Sequence, residues 1–350
     1  MESIAGFNIF LENVVPDSVS EKAPSIRVAI LDDGVDMFES QIGGVAKGIS
    51  FCTSRDQKMG LVESPYFTSS TGHGTVMANL VTQTFHRATL CIAKLNHGID
   101  PRSSRSCPTA ESAAQAIQWA RNEKVHIISM SWSIPRTETN ESHIAELEAQ
   151  ISAAHKENIL MFCAATDEGL DVSHDRQFPA ACKDKVFCIG GAEDSGRTDS
   201  SVGEQPVHFT APGKAAVGLM QNRPSRAAEN NAVSVMGSSV ATALTAGLSA
   251  LVLYCVGISK TKHFDIARQH QGMEMILQRL ARSGSGANMN STYIRAREHF
   301  ELETEHYDWE LDGKDALKKL VKSLIGYVNS PSDGISQYAQ LIRTRTIPRP

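Results

Sequence analysis

Short, mostly apolar runs alternating with helix-length stretches constrain this chain more than any other feature. The runs Ile26–Leu31, Gly48–Cys52, Thr89–Ala93, His126–Met130, Ile159–Ala164 and Val186–Gly190 read as strands. Helical patterns fall at Gly74–Thr84, Thr109–Asn122, Ile144–Asn158 and Ser239–Cys255. A strand with one wet face alternates apolar and polar residues, whereas a continuous apolar run suits a strand covered on both faces. The alternation therefore predicts an α/β domain, a doubly wound and mostly parallel sheet with helices on both faces. Sites in such sheets gather beyond the carboxyl ends of the strands. Polar residues just after a strand or at a helix mouth are the ones to examine.

Three such places stand out. Val28-Ala29-Ile30-Leu31 ends in Asp32-Asp33-Gly34, a carboxylate pair that an ordinary Asp-Gly turn would also explain. Thr71-Gly72-His73-Gly74-Thr75 puts a histidine between glycines at the start of a helix, open to close approach from both sides. Gly237-Ser238-Ser239 opens a helix of small and apolar residues. A serine there can cap the helix by accepting from an orphan N–H. One serine suffices for that, which leaves the other available as a nucleophile. A hydroxyl attacks only when a base takes its proton, and the base needs a buried carboxylate to fix its tautomer. Asp, then His, then Ser is one of the known chain orders for that geometry.

With these residues in place, the chain resembles the subtilisin-like serine proteases over about residues 24–300. Four motifs in order carry the resemblance: Ala29-Ile30-Leu31-Asp32-Asp33-Gly34, Gly72-His73-Gly74-Thr75, Ser129-Met130-Ser131-Trp132 and Gly237-Ser238-Ser239-Val240-Ala241. It implies a peptidase domain at 25–300, a lead-in at 1–24, and a helical extension and tail at 301–350. It also implies catalytic roles: Asp32 orients, His73 is the general base and Ser239 the nucleophile. Ser238 stands where the family has threonine and caps or braces the turn. The Ser239 N–H, at the positive end of a helix, becomes a donor to the oxyanion. Ser131, Trp132 and Ser133 form an edge strand beside the substrate, with Ser133 narrowing the cleft where glycine is usual. Asp32-Asp33-Gly34 and Ser131-Trp132 are closest to the kexin-like branch. That branch's preference for basic residues is not carried over, because Glu138 and Glu141 read as solvated loop charges.

One departure bears on the chemistry. The family's second oxyanion donor is an asparagine in Ala-Ala-Gly-Asn-Glu-Gly, and this chain reads Ala164-Ala165-Thr166-Asp167-Glu168-Gly169. An ionised carboxylate cannot donate a hydrogen bond, whereas a protonated one can. Loss of one such donor costs about 10²–10³ in turnover, a magnitude measured on subtilisin itself. Either Asp167 is a neutral acid in a desolvated pocket, or the site is slow or inactive. The expectation is thus a serine endopeptidase acting on protein or peptide substrates. The alternative is a weakened pseudoprotease that binds peptides in the same cleft.

The remaining features narrow the setting. A net charge of −5 gives no reason to expect nucleic acid. No run approaches the roughly 18 apolar residues of a membrane span, so no membrane partner is expected. Seven cysteines, an odd number lodged mostly in apolar runs, suggest a reduced, cytoplasmic protein. Asn140 and Asn290 then head glycosylation-like triplets by chance. No acidic cluster has metal-ligand spacing, and GxxxxGK[ST], HExxH and CxxC are absent, so neither metal nor cofactor is expected. The lead-in is too short for an inhibitory prosegment, which suggests fusion to regulatory domains or an intrinsically weak site. Beyond Val256, His263–Arg282 reads as a helix, Ser283–Asn288 as a break and Asp315–Val328 as a second helix. An apolar stripe from Ala316 to Val328 on that helix packs on the parent domain or takes a partner. Arg343–Pro350 reads as a loose tail.

Overall fold

A computed structural model describes residues 23–37, 44–56, 60–100, 106–167, 176–193, 195–203, 205–218, 232–259, 263–281 and 292–300. It also describes Asn8, Leu11, Glu12, Ile42 and a few positions between 317 and 324. Ser283–Asn288, Asn290, Glu168-Gly169 and Arg343–Pro350 lie outside the described residues.

The centre is a sheet of seven strands: β1 (Arg27–Asp32), β2 (Val45–Ser50), β3 (Thr89–Lys94), β4 (Ile127–Met130), β5 (Leu160–Ala164), β6 (Phe187–Ala192) and β7 (Phe209–Pro212). Their order across the sheet is β7-β6-β5-β4-β1-β3-β2, and every neighbouring pair is parallel. Alternate residues of β1 explain the continuous apolar runs. Val28 and Ile30 enter one core, while Ala29 and Leu31 enter another on the opposite face. Helices α1 (His73–Thr84) and α4 (Ser238–Ile258) cover the first face; α2 (Ala110–Asn122) and α3 (Glu141–Lys156) cover the second.

Six strands and four helices match the sequence-based assignments to within a few residues. β7 was not anticipated, because Phe209-Thr210-Ala211-Pro212 is short, ends in proline and lies at the sheet edge. Helix α3 begins at Glu141, three residues before Ile144, because its first turn is polar and apolar periodicity detects only the buried face. The helix expected at His263–Arg282 is broken into Phe264–Ala267 and α5 (His270–Ala281).

The described part of the stripe expected between Ala316 and Val328 faces inward. Leu317, Val321 and Leu324 are buried in the core of the first face, and Arg279 donates to the Leu324 carbonyl at 2.8 Å. Leu11 joins the same core, and Asn8 donates to the Thr84 carbonyl. Asn140 is likewise occupied, its side chain bonded to the Thr137 amide and the Pro135 carbonyl.

Helix α4 corrects the reading of the chain's apolar runs. At 21 residues and a mean hydropathy of 1.9 it is long and apolar enough to cross a membrane, yet 94% of that window is buried inside the fold. Its hydroxyls hid this from a count of apolar residues. Thr242 and Thr245 donate back to the carbonyls of Ser238 and Ala241, which satisfies them internally. Every residue of α4 is buried except Ser239 and Gly257. Gly247 lets α1 approach closely, since an added Cβ would lie 2.7 Å from Thr84 Cβ and 2.9 Å from the Val81 carbonyl oxygen. Alanine would gain about 1 kcal/mol of helix propensity there. Overpacking at a backbone contact costs about 1–3 kcal/mol and prevails. Gly247→Ala should therefore lower the midpoint of chemical denaturation, and an unchanged or raised midpoint would refute this packing.

Candidate active site

β1 ends in two carboxylates that do different things. Asp32 is 4% exposed and holds His73 Nδ1 at 2.8 Å from Oδ1 and 3.0 Å from Oδ2. His73 is the first residue of α1, and its side chain is 39% exposed. With Nδ1 on Asp32, the opposite nitrogen Nε2 is left for the cleft. The Asp32 charge raises the His73 pKa to about 9, against the opposing effect of burial. Gly74 makes the approach possible, since a Cβ there would lie 2.2 Å from the Gly34 carbonyl oxygen and 3.0 Å from Asp32 Cβ.

Asp33 organises the loop that delivers the histidine, which sequence reasoning did not assign. Ser69 Oγ donates to it at 2.6 Å, Thr71 N at 2.6 Å, Thr71 Oγ1 at 2.7 Å and Gly74 N at 2.8 Å. Burial alone would raise its pKa, but these hydrogen bonds outweigh it and hold the carboxyl below its ordinary value. No local signal marks this role, because the hydroxyls of Ser69 and Thr71 lie 36 and 38 positions away in sequence. Lys94, fully buried at the end of β3, braces the same loop by donating to the Thr68 carbonyl at 2.8 Å.

Ser239 reaches the cleft from the mouth of α4. Its Oγ donates to the Ser131 carbonyl at 3.1 Å, and Ser131 Oγ donates to the Ser239 carbonyl at 3.2 Å. Among the described residues no hydrogen bond joins Ser239 to His73. Both, with Asp32, line one cleft of about 520 Å³.

The capping expectation is corrected. The N-cap position is Gly237, at φ 118°, and its side is closed by Asp167, whose Oδ2 lies 2.7 Å from where a Cβ would sit. Ser238 is the first helical residue and braces the junction between sheet and helix. It accepts from Gly191 N at 3.0 Å and donates to Asp167 Oδ1 at 2.6 Å. Its own N–H donates to Asp167 Oδ2 at 2.9 Å. Asp167 thus acts as an acceptor at the positive end of α4. Gln205 fixes the segment before it, accepting from Thr166 N and Oγ1 at 2.7 and 2.9 Å.

Ser131, Trp132 and Ser133 line the cleft but form no strand in this structure. The ladder begins one residue later, where Ile134–Pro135 pairs with Gln177–Phe178. Trp132 is anchored, its Nε1 donating to the Leu31 carbonyl at 2.6 Å.

A parallel α/β sheet with Asp, His and Ser drawn to its carboxyl edge defines a class of fold and site. The chain belongs to the subtilase family, whose Peptidase_S8 profile matches residues 24–278. It is 32% identical over 221 residues to the subtilisin-like protease het-Q2 of Podospora anserina, covering 61% of this chain and 56% of that protein. It is 26% identical over 214 residues to the major intracellular serine protease of Bacillus subtilis (strain 168), covering 58% and 62%. The matched stretch thus spans between half and two thirds of these relatives. A solved lanthipeptide protease shares the fold, with a TM-score of 0.59 at 17% identity over 83% of this chain and 93% of that one.

Asp33 gives a pH-dependent expectation. Asp33→Asn should cost about 2–3 kcal/mol at pH 7 by removing a charged acceptor from four donors. A depressed pKa contributes stability above the unfolded value near 3.8, and that contribution is lost as pH falls through the folded value. The gap between wild type and variant, read by urea denaturation, should therefore narrow below about pH 4.

Proposed function

We propose that this chain is the peptidase domain of a cytoplasmic serine endopeptidase acting on protein or peptide substrates. The observation that carries the reading is the buried Asp32 carboxylate on His73 Nδ1, opposite a serine that alone among the first nineteen residues of α4 escapes burial. Seven free cysteines and the intracellular relative support the location. The proposed domain runs over 25–300, flanked by 1–24 and 301–350.

In this mechanism Ser239 Oγ leaves the Ser131 carbonyl and turns toward His73. It gives its proton to His73 Nε2 and bonds to the substrate carbonyl carbon. Asp32 stabilises the imidazolium that results. The Ser239 N–H holds the negative oxygen at the helix mouth. As the C–N bond breaks, His73 returns the proton to the leaving amine. Water, deprotonated by the same imidazole, then cleaves the acyl-serine ester, and the imidazolium returns the proton to Ser239 Oγ as that bond breaks. Ser131, Trp132 and Ser133 border the bound peptide. Asp167 stands at the second oxyanion position, where it can donate only as a neutral acid.

The pseudoprotease reading also has specific support. Asp167 accepts twice from Ser238, and the Ser239 hydroxyl rests on Ser131. A peptide-binding module needs neither a donor at Asp167 nor a deprotonated serine.

Labelling by a fluorophosphonate separates the two. The endopeptidase reading expects a Ser239-dependent adduct that Ser239→Ala abolishes. Its rate should rise with pH toward about 9, because His73 accepts a proton only when neutral. Two units below that value only about a hundredth of the imidazole is neutral. Absence of Ser239-dependent labelling from pH 5 to 10 would leave the binding module. Asp167→Asn, which supplies a neutral donor, should speed labelling by up to about 10²–10³. A rate unchanged by that substitution would show that Asp167 already donates.

A further inference from the structure

One polar side chain in the cleft has no role in that chemistry. Gln177 is 2% exposed, yet it lines the cleft with Ser239 and Asp167. Its Nε2 is buried and has no hydrogen-bond partner among the described residues. Buried amides are normally paired, and an orphan costs free energy that a ligand can recover. The backbone fixes Gln177 in place through pairing with Pro135 in the short antiparallel ladder just beyond Ser133.

The location says which substrate atom it meets. Ser131 holds the resting Ser239 hydroxyl, and Asp167 holds the residue before it. The space between those two segments is therefore the space beside the attacked carbonyl. Gln177 lines the same cleft, on the strand that follows Asp167. A substrate side chain entering between those segments, that of the residue bearing the carbonyl, would pass along the wall that Gln177 lines.

The chemistry of the partner follows from the rest of the lining. Asp32, Asp33, Asp100 and Asp167 line the cleft together with His73, and its described lining holds no lysine or arginine. A substrate carboxylate could accept from Gln177 but would face more carboxylates than the single His73 imidazolium offsets. A lysine or arginine could use only the amide oxygen and would leave Nε2 unpaired. A neutral primary amide satisfies both atoms at once, accepting from Nε2–H and donating to Oε1. That pairing holds for either orientation of the Gln177 amide.

We propose that Gln177 selects asparagine or glutamine as the residue whose carbonyl Ser239 attacks. The inference rests on the proteolytic reading for its register, and on the buried amide for its selectivity. A site built to pair with a polar group rejects an isostere that lacks it.

The test uses acetylated tripeptidyl aminocoumarins that differ only in the final residue: Gln, Asn, Met, Glu or Lys. They are hydrolysed by the full wild-type chain, and their binding to the full Ser239→Ala chain is read by fluorescence polarisation. The amide compounds should exceed the Met isostere, Glu and Lys at least about tenfold in kcat/KM or affinity. Gln177→Met should erase that advantage while the Met compound binds as before, which shows that the variant is folded. Equal or better performance by Met, Glu or Lys overturns the proposal, as does an amide preference that survives Gln177→Met, or failure of every compound to bind. Turnover without amide preference sinks Gln177 alone. Amide-selective binding without turnover sinks the endopeptidase instead.

Discussion

The contact on which the site depends is the one between the Asp32 carboxylate and His73 Nδ1. It joins the end of β1 to the first residue of a helix forty-one positions later. Such a contact needs two backbones closer than side chains normally allow. Gly74 supplies the space against the Gly34 carbonyl. Asp33 pulls in the intervening loop through Ser69, Thr71 and Gly74, while Lys94 holds it from the neighbouring strand. The carboxylate pair thus divides its labour: Asp32 faces the imidazole, and Asp33 builds the loop that presents it.

The second half of the site rests on a different physical device. Helix α4 is anchored by burial along nearly its whole length, so its mouth is rigid relative to the sheet. Ser238 is tied to Gly191 of β6 and to Asp167 beyond β5, and Ser239 is left at the edge of the cleft. The two adjacent hydroxyls are therefore distinguished by direction: one turns into the sheet, the other into the cleft. Asp167 stabilises the helix mouth as an acceptor, and the same arrangement competes with the donor role a peptidase would need there. In the proposed mechanism an oxyanion donor at this position would have to give up that acceptor role.

Much of this was legible in the sequence, for identifiable reasons. Strands buried on both faces leave continuous apolar runs, so β1, β3, β4, β5 and β6 stood out, whereas the short edge strand β7 did not. Asp32, His73 and Ser239 were visible because each stands at a strand end or helix mouth within two residues of a glycine. The partners of Asp33, the orphaned amide of Gln177 and the Asp167–Ser238 contact were not visible. They are long-range pairings between ordinary polar residues, and no periodicity marks them. The apolar length of α4 was obscured by Thr242, Thr245 and Ser249, whose hydroxyls lower the apolar count without preventing burial.

The most direct test of the account is the titration of the His73 imidazole itself, followed by NMR chemical shift in the full chain and in Asp32→Asn. The account predicts a midpoint near 9 in the wild-type chain, dropping by two units or more when the Asp32 charge is removed. A wild-type midpoint close to the ordinary 6.5, indifferent to Asp32, would contradict it.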